Sequence, residues 1–144
     1  STAELVVRKA GKPVMVTPAS FKEIESLALA YDGSPPAHNA LKLAVELSGL
    51  ARWPLTVVMI ASDQDLAARL SEELDGFLEE AEIDHTTVVL QGREDVEILR
   101  FVQEGAVELL VMGAYGHNRL RELFLGSTTS SVIRKSEIPV LLTR

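Results

Sequence analysis

Three glycines and the hydroxyl residues that follow them have the makings of an anion seat. Gly113 and Gly116 are followed by Gly126, which directly precedes Ser127, Thr128 and Thr129. Glycine permits positive φ and close approach, so a run of this kind can turn backbone amides toward a ligand. Ser127 or Thr128 can then open a helix whose free N–H groups and positive dipole end attract phosphate. The same residues admit a plainer use, with Gly113 and Gly116 in a tight turn and Ser127 only capping the helix. Charge adds weight to the first use. Residues 113–135 hold Arg119, Arg121, Arg134 and Lys135 against Glu122 alone, a local +3 that leaves -10 on the remainder of a chain of net charge -7. A polyphosphate approaching an acidic protein needs such an island, commonly with a divalent cation. Arg134 and Lys135 suit the end of a short helix dipole better than a ligand. Arg119 and Arg121 remain open to either use.

A second cluster is Ala30-Tyr31-Asp32-Gly33-Ser34-Pro35. It puts an acid at the end of an apolar run, where a carboxylate can accept from a base or ribose or help hold a metal. Asp, Gly, Ser and Pro are also ordinary turn residues, and Ser34 can cap the next helix. Other chemistries lack their residues. Neither Gly-x-Gly-x-x-Gly nor the P-loop pattern occurs, no Gly-x-Ser-x-Gly elbow is present, and His38, His85 and His117 have no metal-ligand spacing. The histidines read as surface residues, and no catalytic constellation stands out.

The elements that must position these clusters alternate. Short β-rich runs at Leu27 to Tyr31, Leu55 to Ala61, Thr86 to Leu90, Glu108 to Met112 and Pro139 to Thr143 are separated by helical stretches at 36–50, 64–82, 94–104 and 127–135. In the stretch at 64–82, Leu66, Leu70, Leu74, Phe77 and Ala81 recur every three or four residues, with Glu72, Glu73, Glu79 and Glu80 on the wet side. Val57-Val58-Met59-Ile60 and Leu109-Leu110-Val111-Met112 do not alternate with polar residues, as expected of strands covered on both faces. The pattern predicts a doubly wound α/β fold, with ligands at the carboxyl ends of strands where the strand order reverses.

The first 24 residues stand outside this alternation, and an internal repeat explains them. A shift of 126 sets Ser1 to Thr17 on Ser127 to Thr143 with eight identities in 17 positions, where composition predicts roughly one. Residues 1–24 are therefore expected to be the last helix and strand of a preceding homologous domain plus a linker, with one domain over 25–144.

Composition bounds the function. With 144 residues, 47% hydrophobic and 24% charged, the chain can bury a single core. The absence of cysteine excludes disulfides and thiolate chemistry, and a cytoplasmic setting is expected. The excess of 21 acidic over 14 basic residues argues against nucleic acid as a partner. The apolar runs fall well short of the roughly 20 residues a membrane helix needs, so no membrane association is expected.

Gly-x2-Gly-x9-Gly-Ser at Gly113, Gly116, Gly126 and Ser127, Tyr31-Asp32-Gly33-Ser34 after the first strand, and Ile138-Pro139-Val140-Leu141-Leu142 at the end resemble the universal stress protein family over about residues 25–144. The glycine spacing is that of the family's ATP-binding branch. The resemblance implies an adenine nucleotide alpha hydrolase-like fold, a five-stranded parallel sheet in order 3-2-1-4-5 carrying the N-terminal helix and strand as an addition. It implies ATP, with Mg2+ or Mn2+, across the carboxyl ends of strands one and four. Asp32 and Tyr31, with Ala30, then stand beside adenine and ribose, Ala61 lines the adenine pocket, and Met112 and Gly113 floor it. Gly116, Gly126, Ser127, Thr128 and Thr129 hold the phosphates, and His117 and Arg119 complete the set. The sequence departs from the family at Gln91-Gly92-Arg93-Glu94, which lacks the proline of the usual Gly-x-Pro, and at Ala61, where a bulkier residue is common.

The implied function is a cytoplasmic stress-response module whose ATP occupancy biases a dimer or partner interface. The alternatives are slow ATP hydrolysis or self-phosphorylation at Ser127, Thr128 or Thr129, and a nucleotide-free dimerisation module. Binding is favoured over turnover. Family members pair through the last strand, so a homodimer or tandem pseudo-dimer is expected, with Pro13 to Thr17 antiparallel to Pro139 to Thr143 of this chain or a neighbour. Replacing Gly113 or Gly126 by alanine is expected to abolish ATP binding with the fold intact.

Overall fold

A computed structural model describes residues 1–20, 22–105, 107–114 and 125–144. Gly116, His117, Arg119 and Arg121 lie outside the described residues. The elements are α1 (Thr2–Lys9), β1 (Val14–Val16), β2 (Leu27–Ala30), α2 (Pro35–Ala51), β3 (Leu55–Ile60), α3 (Gln64–Glu80), β4 (His85–Leu90), α4 (Glu94–Glu104), β5 (Leu109–Gly113), α5 (Ser127–Lys135) and β6 (Val140–Thr143). Among the described residues no helix is long and apolar enough to cross a membrane.

The sheet runs β1-β6-β5-β2-β3-β4. The five strands β2 to β6 are parallel and in the expected order, and β1 adds a sixth, antiparallel to β6 of the same chain. Strand alternation sorts the core into two faces. Leu27, Leu29, Val57, Met59, Leu109 and Val111 pack against Ala37, Ala40, Leu41 and Ala44 of α2 and Leu70, Leu74 and Leu78 of α3. Ala28, Val58, Leu110, Met112, Val140 and Leu142 pack on the other face against Val7 of α1, Ile98 and Val102 of α4, and Val132 and Ile133 of α5. Fully burying one such leucine is worth about 2 kcal/mol, so the helical stripes hold the sheet on both sides.

Local chemistry sets the helix starts. Ser1 and Glu4 form a capping box on α1, the Ser34 hydroxyl accepts from the Ala37 amide with Pro35 at the first helical position, and Asp63 accepts from the Leu66 amide at 2.7 Å. Helices α4 and α5 lack such a cap. Arg93 makes no side-chain bond to the first turn of α4, and the N-cap of α5 is Gly126, with φ -63° and ψ 155° and no side chain to accept.

The pairing of β1 with β6 has a symmetry that the repeat explains. Val14 faces Leu142, Met15 faces Leu141 and Val16 faces Val140. A shift of 126 carries Val14 onto Val140, Met15 onto Leu141 and Val16 onto Leu142. The register is thus a pseudo-twofold centred on the pair Met15 and Leu141, the arrangement of an isologous interface.

Candidate functional site

Strands β3 and β4 lie on one side of β2, and β5 and β6 lie on the other, so the strand order reverses between β2 and β5. Their carboxyl ends leave a crevice, as in other open α/β sheets. A cavity of about 190 Å³ occupies it. Ala30, Tyr31 and Asp32 come from the end of β2, Met112 and Gly113 from the end of β5, and Gly126, Ser127, Thr128 and Thr129 from the start of α5. Nine residues singled out from the sequence therefore meet around one cavity. A second cleft of about 450 Å³ adjoins it and shares Asp32, Ile60 and Glu94 with it.

The apolar wall comes from residues that sequence reasoning did not single out. Val58 and Ile60 of β3 and Ile98 of α4 line the cavity. Ala61 does not, although it is buried; its amide donates to the Leu90 carbonyl at 3.1 Å. The reason is register. Ala30 pairs with both Val58 and Met112, so Val58 and Ile60 share the cavity's side of the sheet, while Ala61 is one residue out of phase.

Asp32 serves the turn and the cavity together. One carboxylate oxygen accepts from the Ser34 amide at 2.9 Å while the residue lines both the cavity and the cleft. Gly33 takes φ +79°, the conformation glycine favours. Gly113 is glycine for a different reason from the one its position in the loop implies. A Cβ there would stand 2.7 Å from Cβ of Pro36, 2.9 Å from its carbonyl carbon and 3.0 Å from the Ala37 nitrogen. The close approach at Gly113 is between β5 and the first turn of α2.

Tyr31 lines the cavity, but its ring belongs to the cluster under α2 and α3, and the residue is 2% exposed. Its hydroxyl donates to a Glu73 carboxylate oxygen at 3.1 Å and lies 3.1 Å from Nε2 of His38, whose ring meets the tyrosine edge-on. Burial, then the Glu73 carboxylate, pushes the phenol well above its ordinary value. His38 is thus tied to Glu73 and Tyr31 across α2 and α3.

The seat at α5 is built from donors. The Thr129 hydroxyl donates to the Gly113 carbonyl at 3.4 Å, joining the helix start to the strand end. The Thr128 hydroxyl donates to a Glu94 carboxylate oxygen at 3.3 Å. Arg93 forks onto Asp95 at 2.7 and 3.0 Å and holds that carboxyl well below the usual carboxylate range. Arg134 and Lys135 occupy the last turn of α5, away from the cavity, as the helix dipole favours. Among the described residues no three metal-ligating side chains come together.

The model of the universal stress protein family matches residues 59–144, more than half of the chain. Universal stress protein Slr1230 of Synechocystis is 38% identical over 144 residues, covering 98% of this chain and 50% of that protein. A universal stress protein from Archaeoglobus fulgidus superposes over 100% of this chain and 54% of its own, with a TM-score of 0.82 and 25% identity. A universal stress protein solved in complex with cAMP superposes with a TM-score of 0.71 at 20% identity, over 85% of this chain and 98% of its own. The chain spans about half the length of the first two. It belongs to the universal stress protein family.

Proposed function

We propose that the chain is an ATP-binding module of the family's nucleotide-binding branch, acting in the cytoplasm and using occupancy to bias an interface in the stress response. The observation that carries this reading is the meeting of β2, β5 and the uncapped start of α5 around one cavity. The donor set fits the ligand. First-turn amides of α5 and the Ser127 hydroxyl suit phosphate oxygens, the Thr128 and Thr129 hydroxyls join them on turning from Glu94 and the Gly113 carbonyl, the apolar wall of Val58, Ile60 and Met112 suits a purine, and Asp32 suits a ribose hydroxyl or a cation. The cavity shares Asp32, Ile60 and Glu94 with the cleft, and the cleft is in the range of small-ligand sites, on the order of 300–1,000 Å³. The related protein in complex with cAMP supports an adenine nucleotide as the class. Bound ATP would carry Mg2+ or Mn2+, whose chemistry at this site is to neutralise phosphate charge.

The test is calorimetric titration of the chain with ATP, ADP and AMP in Mg2+, followed by incubation for hours and assay of ADP. Saturable binding with ATP intact is the predicted result. Binding with steady ADP release would replace the module by a slow ATPase, and no binding at millimolar nucleotide would leave a nucleotide-free dimerisation module.

We infer further that residues 1–24 close a homologous unit lying upstream. The eight identities with Ser127 to Thr143 and the pseudo-twofold register of β1 on β6 support it. So does exposure. Val6 and Met15 are 49% and 44% exposed, whereas their counterparts Val132 and Leu141 are 0% and 9% exposed beneath their own domain. The pairing then joins the two halves of a tandem pseudo-dimer.

A further inference from the structure

The fold brings the Glu94 carboxylate to the phosphate seat. Glu94 is the first residue of α4, yet it lines both the cavity and the cleft, and it accepts from the Thr128 hydroxyl at the first turn of α5. Among the described residues Arg93 is paired with Asp95 and Arg100 with Glu97, and Arg69 stands with Asp32 and Glu94 around the cleft. Asp32 is the other carboxylate common to both spaces. A polyphosphate settling on α5 therefore meets two carboxylates on the wall it must approach.

We propose that Glu94 makes nucleotide binding at this seat dependent on a divalent cation, which bridges the Glu94 carboxylate and the phosphate oxygens. The proposal rests on the nucleotide reading of the cavity. Magnesium is commonly held by one or two carboxylates together with substrate phosphates, so two carboxylates beside a phosphate seat suit it. Among the described residues no group of three ligands is present to hold the ion by itself. The cation arrives with the nucleotide. Without it, Glu94 repels the phosphate and keeps its bond to Thr128.

The experiment is calorimetric titration of the chain and of Glu94→Gln with ATP, once in excess Mg2+ and once in EDTA, and with Mg2+ alone. Removing Mg2+ is expected to weaken ATP binding to the parent chain about 10-fold or more, the scale on which ligand-shell changes act. In Glu94→Gln the same removal costs less than about threefold, and the variant binds ATP more tightly than the parent in EDTA. Mg2+ alone gives no measurable heat with either. An equal Mg2+ dependence in both proteins overturns the proposal while leaving nucleotide binding in place, and so does a variant tighter by the same factor in both buffers. Absence of ATP binding in every condition overturns the nucleotide reading and this proposal with it. Glu94→Pro is the second variant, because the first helical position tolerates proline. It is expected to show the same loss of Mg2+ dependence, and a Mg2+ dependence as strong as the parent's counts against Glu94.

Discussion

Gly113, the last residue of β5, abuts Pro36 in the first turn of α2, and a Cβ built on it would lie 2.7 Å from the proline Cβ. The contact couples the strand that floors the cavity to the helix whose N-cap closes the Asp32 turn. Because the obstruction includes backbone atoms, it cannot be relieved by turning one side chain. Gly113→Ala is therefore expected to destabilise the fold by about 1–3 kcal/mol, the usual range for overpacking. Denaturant unfolding reads this directly. A variant as stable as the parent contradicts it, and would restore the view that this glycine only makes room for phosphate.

Tyr31 carries a prediction with a pH signature. Its phenol is pushed above the ordinary value near 10 by burial and by the Glu73 carboxylate, so the folded protein holds this proton more tightly than the unfolded chain does. The resulting stability is complete below about pH 10 and is lost as pH rises above it. Tyr31→Phe is expected to cost about 1 kcal/mol at pH 7 through the lost hydrogen bond. It is also expected to lose stability less steeply than the parent above about pH 10. Unfolding curves at neutral and alkaline pH compare the two slopes, and parallel slopes contradict the assignment.

The N-terminal helix offers an internal contrast between adjacent valines. Val7 is 3% exposed and packs into the core face shared with α5, while Val6 is 49% exposed. In this chain Val7→Ala is expected to cost about 2 kcal/mol, and Val6→Ala less than about 0.5 kcal/mol. In a longer polypeptide carrying the proposed upstream unit, Val6→Ala is expected to become the costlier of its two measurements. An unchanged, near-zero cost there contradicts the tandem pseudo-dimer.

The doubly wound α/β class was legible because runs such as Val57 to Ile60 lack alternation and are separated by long helical stretches, while the strand order came only from the family resemblance. That Val14 to Val16 form a strand was legible because Ser1 to Thr17 repeats a strand-bearing segment, and its pairing with β6 came from the family resemblance. The convergence of Asp32, Gly126 and Ser127 was legible as a strand end and a helix start beside a switch point. What escaped depends on contacts between distant segments. Val58 and Ile60, rather than Ala61, face the cavity because the pairing of Ala30 with Val58 sets the phase, and a lone strand carries no record of it. Glu94 reaches Thr128 only because α4 packs beside α5, and Tyr31 meets Glu73 only because α3 packs into the same core cluster as the residues at the end of β2. The purpose of Gly113 was hidden for the same reason, since Pro36 lies far away along the chain.

The central claim is that the first-turn amides of α5 receive the phosphates of an adenine nucleotide, and Gly126→Asp puts it to the most direct trial. The Gly126 backbone already has the extended geometry of an N-cap, so an aspartate there can cap the helix with its own carboxylate. That substitution is expected to raise the stability of the free chain by a few tenths of a kcal/mol up to about 1 kcal/mol. The measurement is the thermal midpoint of parent and variant with and without ATP and Mg2+. At about 100 times the dissociation constant, ATP is expected to add roughly 2.7 kcal/mol to the parent, and nothing to Gly126→Asp. An equal shift in both proteins, or none in the parent at millimolar ATP, contradicts the claim.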